Sequence, residues 1–184
     1  TNSWKKVDKK SRESFEFFIN AFKKNIEVFD TPPYFKDINK YHQIIHETDL
    51  SNNFQDYYKQ SKNKLSKEMQ SAISRGMKYS SKEYAEAIDF MKISYESYKK
   101  IFKDYNGVLT PCSTGVADKG IKSTGRADFN KYWSFMGVPA IALPLLQGEN
   151  NLPLGVQLIG DKYDDLRFLG IAKWLEQKSK EYNE

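Results

Sequence analysis

The apolar residues of this chain keep two different rhythms. In the front part they recur at helical spacing. Phe15, Phe18, Ile19, Phe22, Ile26 and Phe29 lie on one face of a helix, and "DTPPYF" stops it because proline cannot continue a helix. Residues 40–59 and 62–76 carry the pattern of two further helices. Ser80 followed by Glu83 makes a capping box. Behind it Tyr84, Ile88, Met91, Tyr95, Tyr98 and Phe102 predict a helix running to about Asp104.

The rhythm then changes. "GVLTP" (residues 107–111), "PAIALPLL" (139–146) and "LGVQLIG" (154–160) are short apolar runs bounded by Gly and Pro, which read as strands. The last two flank "QGENNLP", a turn, so they predict a hairpin. Their prolines favour a place near a sheet edge. Gln157 lies between Val156 and Leu158, so it points to the opposite face, and if buried it needs a hydrogen-bond partner. From Asp164 or Asp165 onward, Leu166, Leu169, Ala172 and Leu175 predict a closing amphipathic helix. It has acids at its start and lysines at its end, as the helix dipole prefers.

Glycine and proline sharpen this division. Residues 1–104 hold only Gly76, Pro32 and Pro33, whereas nine of the 10 glycines and four of the 6 prolines lie in 105–184. The expected class is α/β, with a helical region over 1–104 and an α/β part over 105–184, together forming one incomplete domain. Of the 29 Lys and Arg, 20 lie in 1–104 with 15 of the 24 Asp and Glu. The basic excess is thus a feature of the helices. Its lysines alternate with acids and form no block of five, so it reads as a solvated surface and not as a nucleic-acid footprint. No apolar run approaches the roughly 20 residues of a membrane span, and "TNSWKKVDKK" lacks the apolar core of a signal peptide. A single cysteine, Cys112, fits a reducing compartment. A cytoplasmic protein with no membrane partner is the expectation.

Candidate chemistry is sparse. Nucleophilic catalysis needs an activated side chain, a base and oxyanion donors. Cys112 in "LTPCSTG" follows a strand and could pair with His42 or His46 as a thiolate, or could fill space. His42 and His46 share a helical face, but the order H-x-x-x-H-E lacks the glutamate between the histidines that zinc proteases use, so no metal is assigned. Ser80 and Ser81 are flanked by Tyr79 and Lys82 and start a helix. "TGRADFN" (124–130) could orient a substrate or form a capped turn. Dinucleotide and P-loop glycine patterns are absent, and no cofactor is expected.

Taken in order, Thr110–Pro111, Thr124–Gly125, Phe129–Asn130, Gly137–Ala140, Gly155–Gly160 and the closing helix give residues 80–182 a pattern that resembles the C-terminal part of the amidase signature family. The resemblance implies a mixed sheet flanked by helices and cleavage of carboxamide C–N bonds by a Ser-cisSer-Lys triad, with a small-molecule amide as substrate. In the family that triad lies upstream, in a Gly- and Ser-rich segment, and no Gly-flanked Ser-Ser occurs in these 184 residues. No catalytic residue is therefore assigned. The expected partner is an N-terminal amidase portion, which would also supply strands to complete the sheet, and a homodimer is among the assemblies the resemblance allows. Thr124, Phe129 and Trp133, with Cys112 nearby, are the expected substrate-binding residues. For Trp133 a place in the core is the equal alternative. Asn106 stands where the family usually has Asp. The rival reading of the whole chain is a non-catalytic interaction or regulatory protein that keeps the amidase core.

Overall fold

The computed structural model describes residues 3–121 and 123–183. They form two compact units, one made of residues up to Pro32 together with those from Lys99 onward, the other of Pro33–Tyr98.

The second unit is helical. Its helices are α2 (Phe35–Ser61), α3 (Lys67–Gly76) and α4 (Ser81–Lys99). Helix α2 opens just after Pro32–Pro33, five residues before its pattern begins to read as helical. The capping box at α4 forms in both directions. The Ser80 N–H donates to Glu83 Oε2 at 2.8 Å, and the Glu83 N–H donates back to Ser80 Oγ at 3.2 Å. Ile38, Ile73, Ala87 and Tyr98 are almost fully buried, and Tyr41 stacks on Phe90 with ring centroids 4.3 Å apart.

Two features join α2 to α3. At Gly76 any Cβ would drive into the backbone carbonyl of Glu47, so only glycine lets the helices approach this closely. Beside that contact the buried Glu47 carboxylate accepts hydrogen bonds from Arg75 Nη2 at 2.6 Å, Gln43 Nε2 at 3.1 Å and Tyr79 Oη at 3.2 Å. Burial alone would push this carboxyl up. The bonds from Arg75 and Gln43 outweigh it and hold the group below its ordinary value.

The first unit is built on three strands, β1 (Val108–Pro111), β2 (Ala140–Gln147) and β3 (Pro153–Ile159), in the order β1-β3-β2 and antiparallel throughout. The predicted hairpin is present. Its turn uses the left-handed conformation at Asn150 and Asn151, which asparagine tolerates better than most residues. Helix α1 (Lys9–Ala21) with its C-cap Phe22, and helix α6 (Asp165–Asn183), supply Phe15, Phe18, Phe22, Phe168, Ala172 and Leu175 to a core that includes Leu143, Val156 and Leu158. Period-two alternation puts Gln157 on the other face, where it is buried and its Oε1 accepts a hydrogen bond from Thr110 Oγ1 at 3.4 Å. The short helix α5 (Lys131–Met136) ends at Gly137, whose φ of 65° makes the left-handed turn into β2.

One element differs from expectation. The first helix does not continue to Phe29 but ends at Ala21, with Phe22 as its C-cap, and beyond the turn at 22–25 the chain has no regular structure. Tertiary contacts explain the change. The Phe29 ring stacks on Tyr105 at 6.2 Å, and the Tyr105 hydroxyl donates to Glu27 at 2.5 Å. The apolar spacing persists past Phe22, but Ile26 packs against the core cluster and Phe29 against Tyr105, neither of them on a helical face.

Gly76→Ala should lower stability by about 2 kcal/mol, within the range for overpacking a closed contact, and denaturant titration of the chain measures it.

Candidate functional site

The predicted substrate-binding residues come from the end of β1 and from the long irregular stretch that leads into α5. Both ends of that stretch are tied to the start of the chain. At the near end, the Asp8 N–H donates to the Thr114 carbonyl at 2.9 Å. Asp8 also caps α1 by accepting from the Ser11 N–H at 2.8 Å, as short oxygen-bearing side chains do at helix starts. At the far end, buried Ser3 meets the Tyr132 hydroxyl at 3.2 Å and donates to the Asp128 carbonyl at 3.3 Å. Lys6 Nζ reaches Asp128 Oδ1 at 2.8 Å. Trp4 packs edge-on against Phe15, which fixes this opening segment to the core.

Asp128 is the electrostatic centre of the arrangement. Hydrogen bonds from Arg126 and then Lys6 pull its carboxyl down to about 2, against the cost of partial burial. It is charged at any physiological pH, and its oxygens are occupied by cations. That makes it an anchor for the loop and unsuited to act as a general base, which needs a pKa near the working pH.

Thr124 lies in the exposed loop before this anchor. Its neighbour Ser123 accepts from the Gly125 N–H at 3.1 Å and donates to Asp118 at 2.6 Å. Phe129 lies in the turn just before α5 and Trp133 in the helix itself, and both are buried, with 3% and 4% exposure. Cys112 is half-buried just past β1, and its N–H donates to the Gly155 carbonyl at 3.1 Å. Its sulfur occupies the space that a side chain at 155 would need, since a Cβ on Gly155 would lie 2.7 Å from Sγ. Burial pushes the thiol up to about 11, so at neutral pH it is protonated and a poor nucleophile. The structure therefore buries both Phe129 and Trp133, puts Thr124 on the adjoining exposed loop and seats Cys112 against β3.

His42 and His46 belong to the helical unit, on α2, with rings stacked at 5.8 Å. The following Glu47 is committed to Arg75, and among the described residues no group of three His, Cys, Asp or Glu could hold a metal ion. A groove of about 450 Å³ runs between the end of α1 and α6, lined by Phe22, Lys24, Trp174 and Lys178 among others. None of the four predicted residues is in its lining. The pairing of Lys6 with Asp128 spans 122 residues and left no local trace in the sequence. The loop end "RAD" was visible as a candidate turn, but its partner was not.

An α/β scaffold with this strand order, this loop and this closing helix agrees with the resemblance drawn from the motifs. The chain belongs to the amidase family, whose profile matches residues 3–169. It is similar to a glutamyl-tRNA(Gln) amidotransferase subunit from Alkaliphilus metalliredigens, with 36% identity over 102 residues, covering 52% of this chain and 21% of that protein. The corresponding subunit from Halothermothrix orenii is 29% identical over 100 residues, covering 51% of this chain and 21% of that protein. The chain thus spans about a fifth of the length of these curated relatives. Among solved structures it overlays on an amidase with a TM-score of 0.77 and 18% identity, covering 94% of this chain and 43% of that one. A structure of a vestigial protein complex that reveals the evolutionary origins of an s-triazine catabolic enzyme gives 0.78, 17% identity and coverage of 94% and 40%.

Two outcomes are expected. Asp128→Asn should cost about 1 kcal/mol near pH 7, a modest value because water screens the half-exposed Lys6 and exposed Arg126. Because the folded carboxyl is depressed from 3.8 to about 2, its contribution is full above pH 4 and fades as pH falls through about 2. Wild type and variant should therefore converge in acid unfolding curves. Cys112 should react with iodoacetamide at pH 8 at least about tenfold more slowly than a free thiol such as glutathione, as mass spectrometry of timed quenches reads.

Proposed function

We propose that this chain is the C-terminal portion of an amidase-signature hydrolase that cleaves carboxamide C–N bonds. In this reading the Ser-cisSer-Lys triad of the family lies on an N-terminal portion, and residues 3–183 supply scaffold and one wall of the substrate pocket. The observation that carries it is the pairing of coverages: 94% of this chain overlays on less than half of a solved amidase. The side chains here support the same division. Cys112 is protonated and packed on a strand, and Asp128 is neutralised by two cations.

Within that wall, Thr124 on the exposed loop faces the amide substrate, while Phe129 and Trp133 set the loop's footing from beneath and Cys112 closes the strand end. Chemistry would proceed on the other portion. One serine attacks the carbonyl carbon, the second relays its proton, and a lysine kept neutral by desolvation accepts it. The work is cytoplasmic and needs no cofactor, and among the described residues no helix is long and apolar enough to cross a membrane. A second reading is favoured by the curated relatives, whose names specify amide transfer on glutamyl-tRNA(Gln). There the same wall would serve an amidotransferase.

The isolated chain should hydrolyse no carboxamide in a panel of aliphatic, aryl and glutamine-type substrates followed by ammonia release. Turnover that a serine-directed reagent abolishes would overturn the assignment.

A further inference from the structure

Asn106 and Gly107 form the one Asn–Gly step in the chain. Asn106 is exposed, in a bend just before β1. Its side-chain oxygen accepts a hydrogen bond from Arg167 Nη2 at 2.6 Å. Arg167 lies in the first turn of α6 and also faces Asp164, with Nη1 at 3.5 Å from Oδ2. Among the described residues the Asn106 amide nitrogen donates to nothing, so the side chain is held by its oxygen alone.

The backbone of Gly107 is equally open. The Cys112 N–H donates to the Gly155 carbonyl. With the register Thr110↔Gln157 and Val108↔Ile159, the alternation of an antiparallel ladder directs the even-numbered residues of β1 at β3. Gly107, one position before Val108, turns its N–H away, and among the described residues no acceptor meets it. Packing favours glycine here, since a Cβ would lie 2.7 Å from Leu158 Cδ1 and 3.2 Å from the Ile159 carbonyl oxygen. The missing side chain also leaves the nitrogen unshielded.

We propose that Asn106 is a self-modification site, at which the Gly107 nitrogen displaces the side-chain amide and Arg167 steers the product to aspartate. A solvent base removes the Gly107 amide proton, and the nitrogen attacks Asn106 Cγ. The developing negative charge falls on Oδ1, where the Arg167 guanidinium already sits. The Cγ–Nδ2 bond breaks, the departing nitrogen takes a proton from water and leaves as ammonia, and a five-membered succinimide remains. Water then adds at Cγ, the bond from Cγ to the Gly107 nitrogen breaks, and a proton returns to that nitrogen. The sum is asparagine plus water to aspartate plus ammonia. Attack of water at the backbone carbonyl would instead give an isoaspartyl link, the main product of flexible Asn–Gly peptides. Arg167 polarises the side-chain carbonyl and so favours the aspartyl branch. The new carboxylate keeps Arg167 through a hydrogen bond charged on both sides, which ties the start of α6 to the entry of β1.

The test is ageing of the folded chain at mildly alkaline pH, beside the same chain denatured in guanidinium chloride. Peptide mapping reads the mass gain of amide-to-acid exchange at residue 106, and electron-transfer fragmentation separates aspartyl from isoaspartyl products. In the folded wild type Asn106 should convert at least as fast as in the denatured chain, with an aspartyl-to-isoaspartyl ratio at least about fivefold higher. Arg167→Met should slow conversion about tenfold, less than the loss of a buried oxyanion donor because Arg167 is half exposed. It should also bring the ratio down to the denatured value. Asn106→Asp supplies the standard that the aged wild type should match in cation-exchange retention. The proposal is overturned if Asn106 stays an amide in the folded chain while the denatured chain converts, or if the two wild-type product ratios are equal. It is equally overturned if Arg167→Met melts as wild type does and ages with the wild-type rate and ratio. Should that variant fail to fold, the comparison of folded with denatured wild type decides alone.

Discussion

The pairing of β3 with a strand on each side governs the first unit. That register sends Val156 and Leu158 into the cluster of Phe15, Phe18 and Phe168 and sends Gln157 to the opposite face, where Thr110 meets it. A slip of one residue would exchange the faces. Gln157 would then lie among phenylalanines with its amide unsatisfied, a cost of several kcal/mol. The close seat of Cys112 against Gly155 depends on the same register, because β1 has to bring residue 112 opposite residue 155.

From that fixed sheet the candidate site is built outward by progressively weaker ties. The strand end at Cys112 is held by main-chain bonds and packing. The start of α5 is held by burial of Phe129, Tyr132, Trp133 and Met136. Between them the loop carrying Thr124 is exposed and is fastened at its ends by Asp8, Ser3 and the Lys6–Asp128 pair. Such a gradient suits a recognition loop, since loops on rigid supports are where binding groups concentrate. The polar ties contribute little energy individually, but they settle where the loop begins and ends.

Elements whose information is local were legible in the sequence. The Ser80–Glu83 box, the hairpin through Asn150 and Asn151, the strand ending at Pro111 and the closing helix each announce themselves within a few residues, and each is present. The family resemblance was legible for the same reason, since it rests on short motifs in fixed order. What could not be read depends on distant partners. Helical spacing continued through Ile26 and Phe29, yet Tyr105, far along the chain, draws that stretch out of the helix. Lys6 gives no sign that Asp128 awaits it. Phe129 and Trp133 look alike as pocket residues or core residues until burial is known, because an aromatic side chain suits both.

The first unit is assembled from residues on both sides of a helical unit inserted between Pro32 and Lys99, and the order of synthesis works against this arrangement. Helix α1 leaves the ribosome with Phe15, Phe18 and Phe22 exposed, and its cover arrives only when β2 and β3 emerge more than a hundred residues later. At translation speeds of about 5–20 residues per second, those three rings wait from several seconds to more than twenty. During that interval the nascent chain presents a greasy amphipathic helix to whatever chaperone surveys the exit tunnel, while the inserted helices are free to fold on their own.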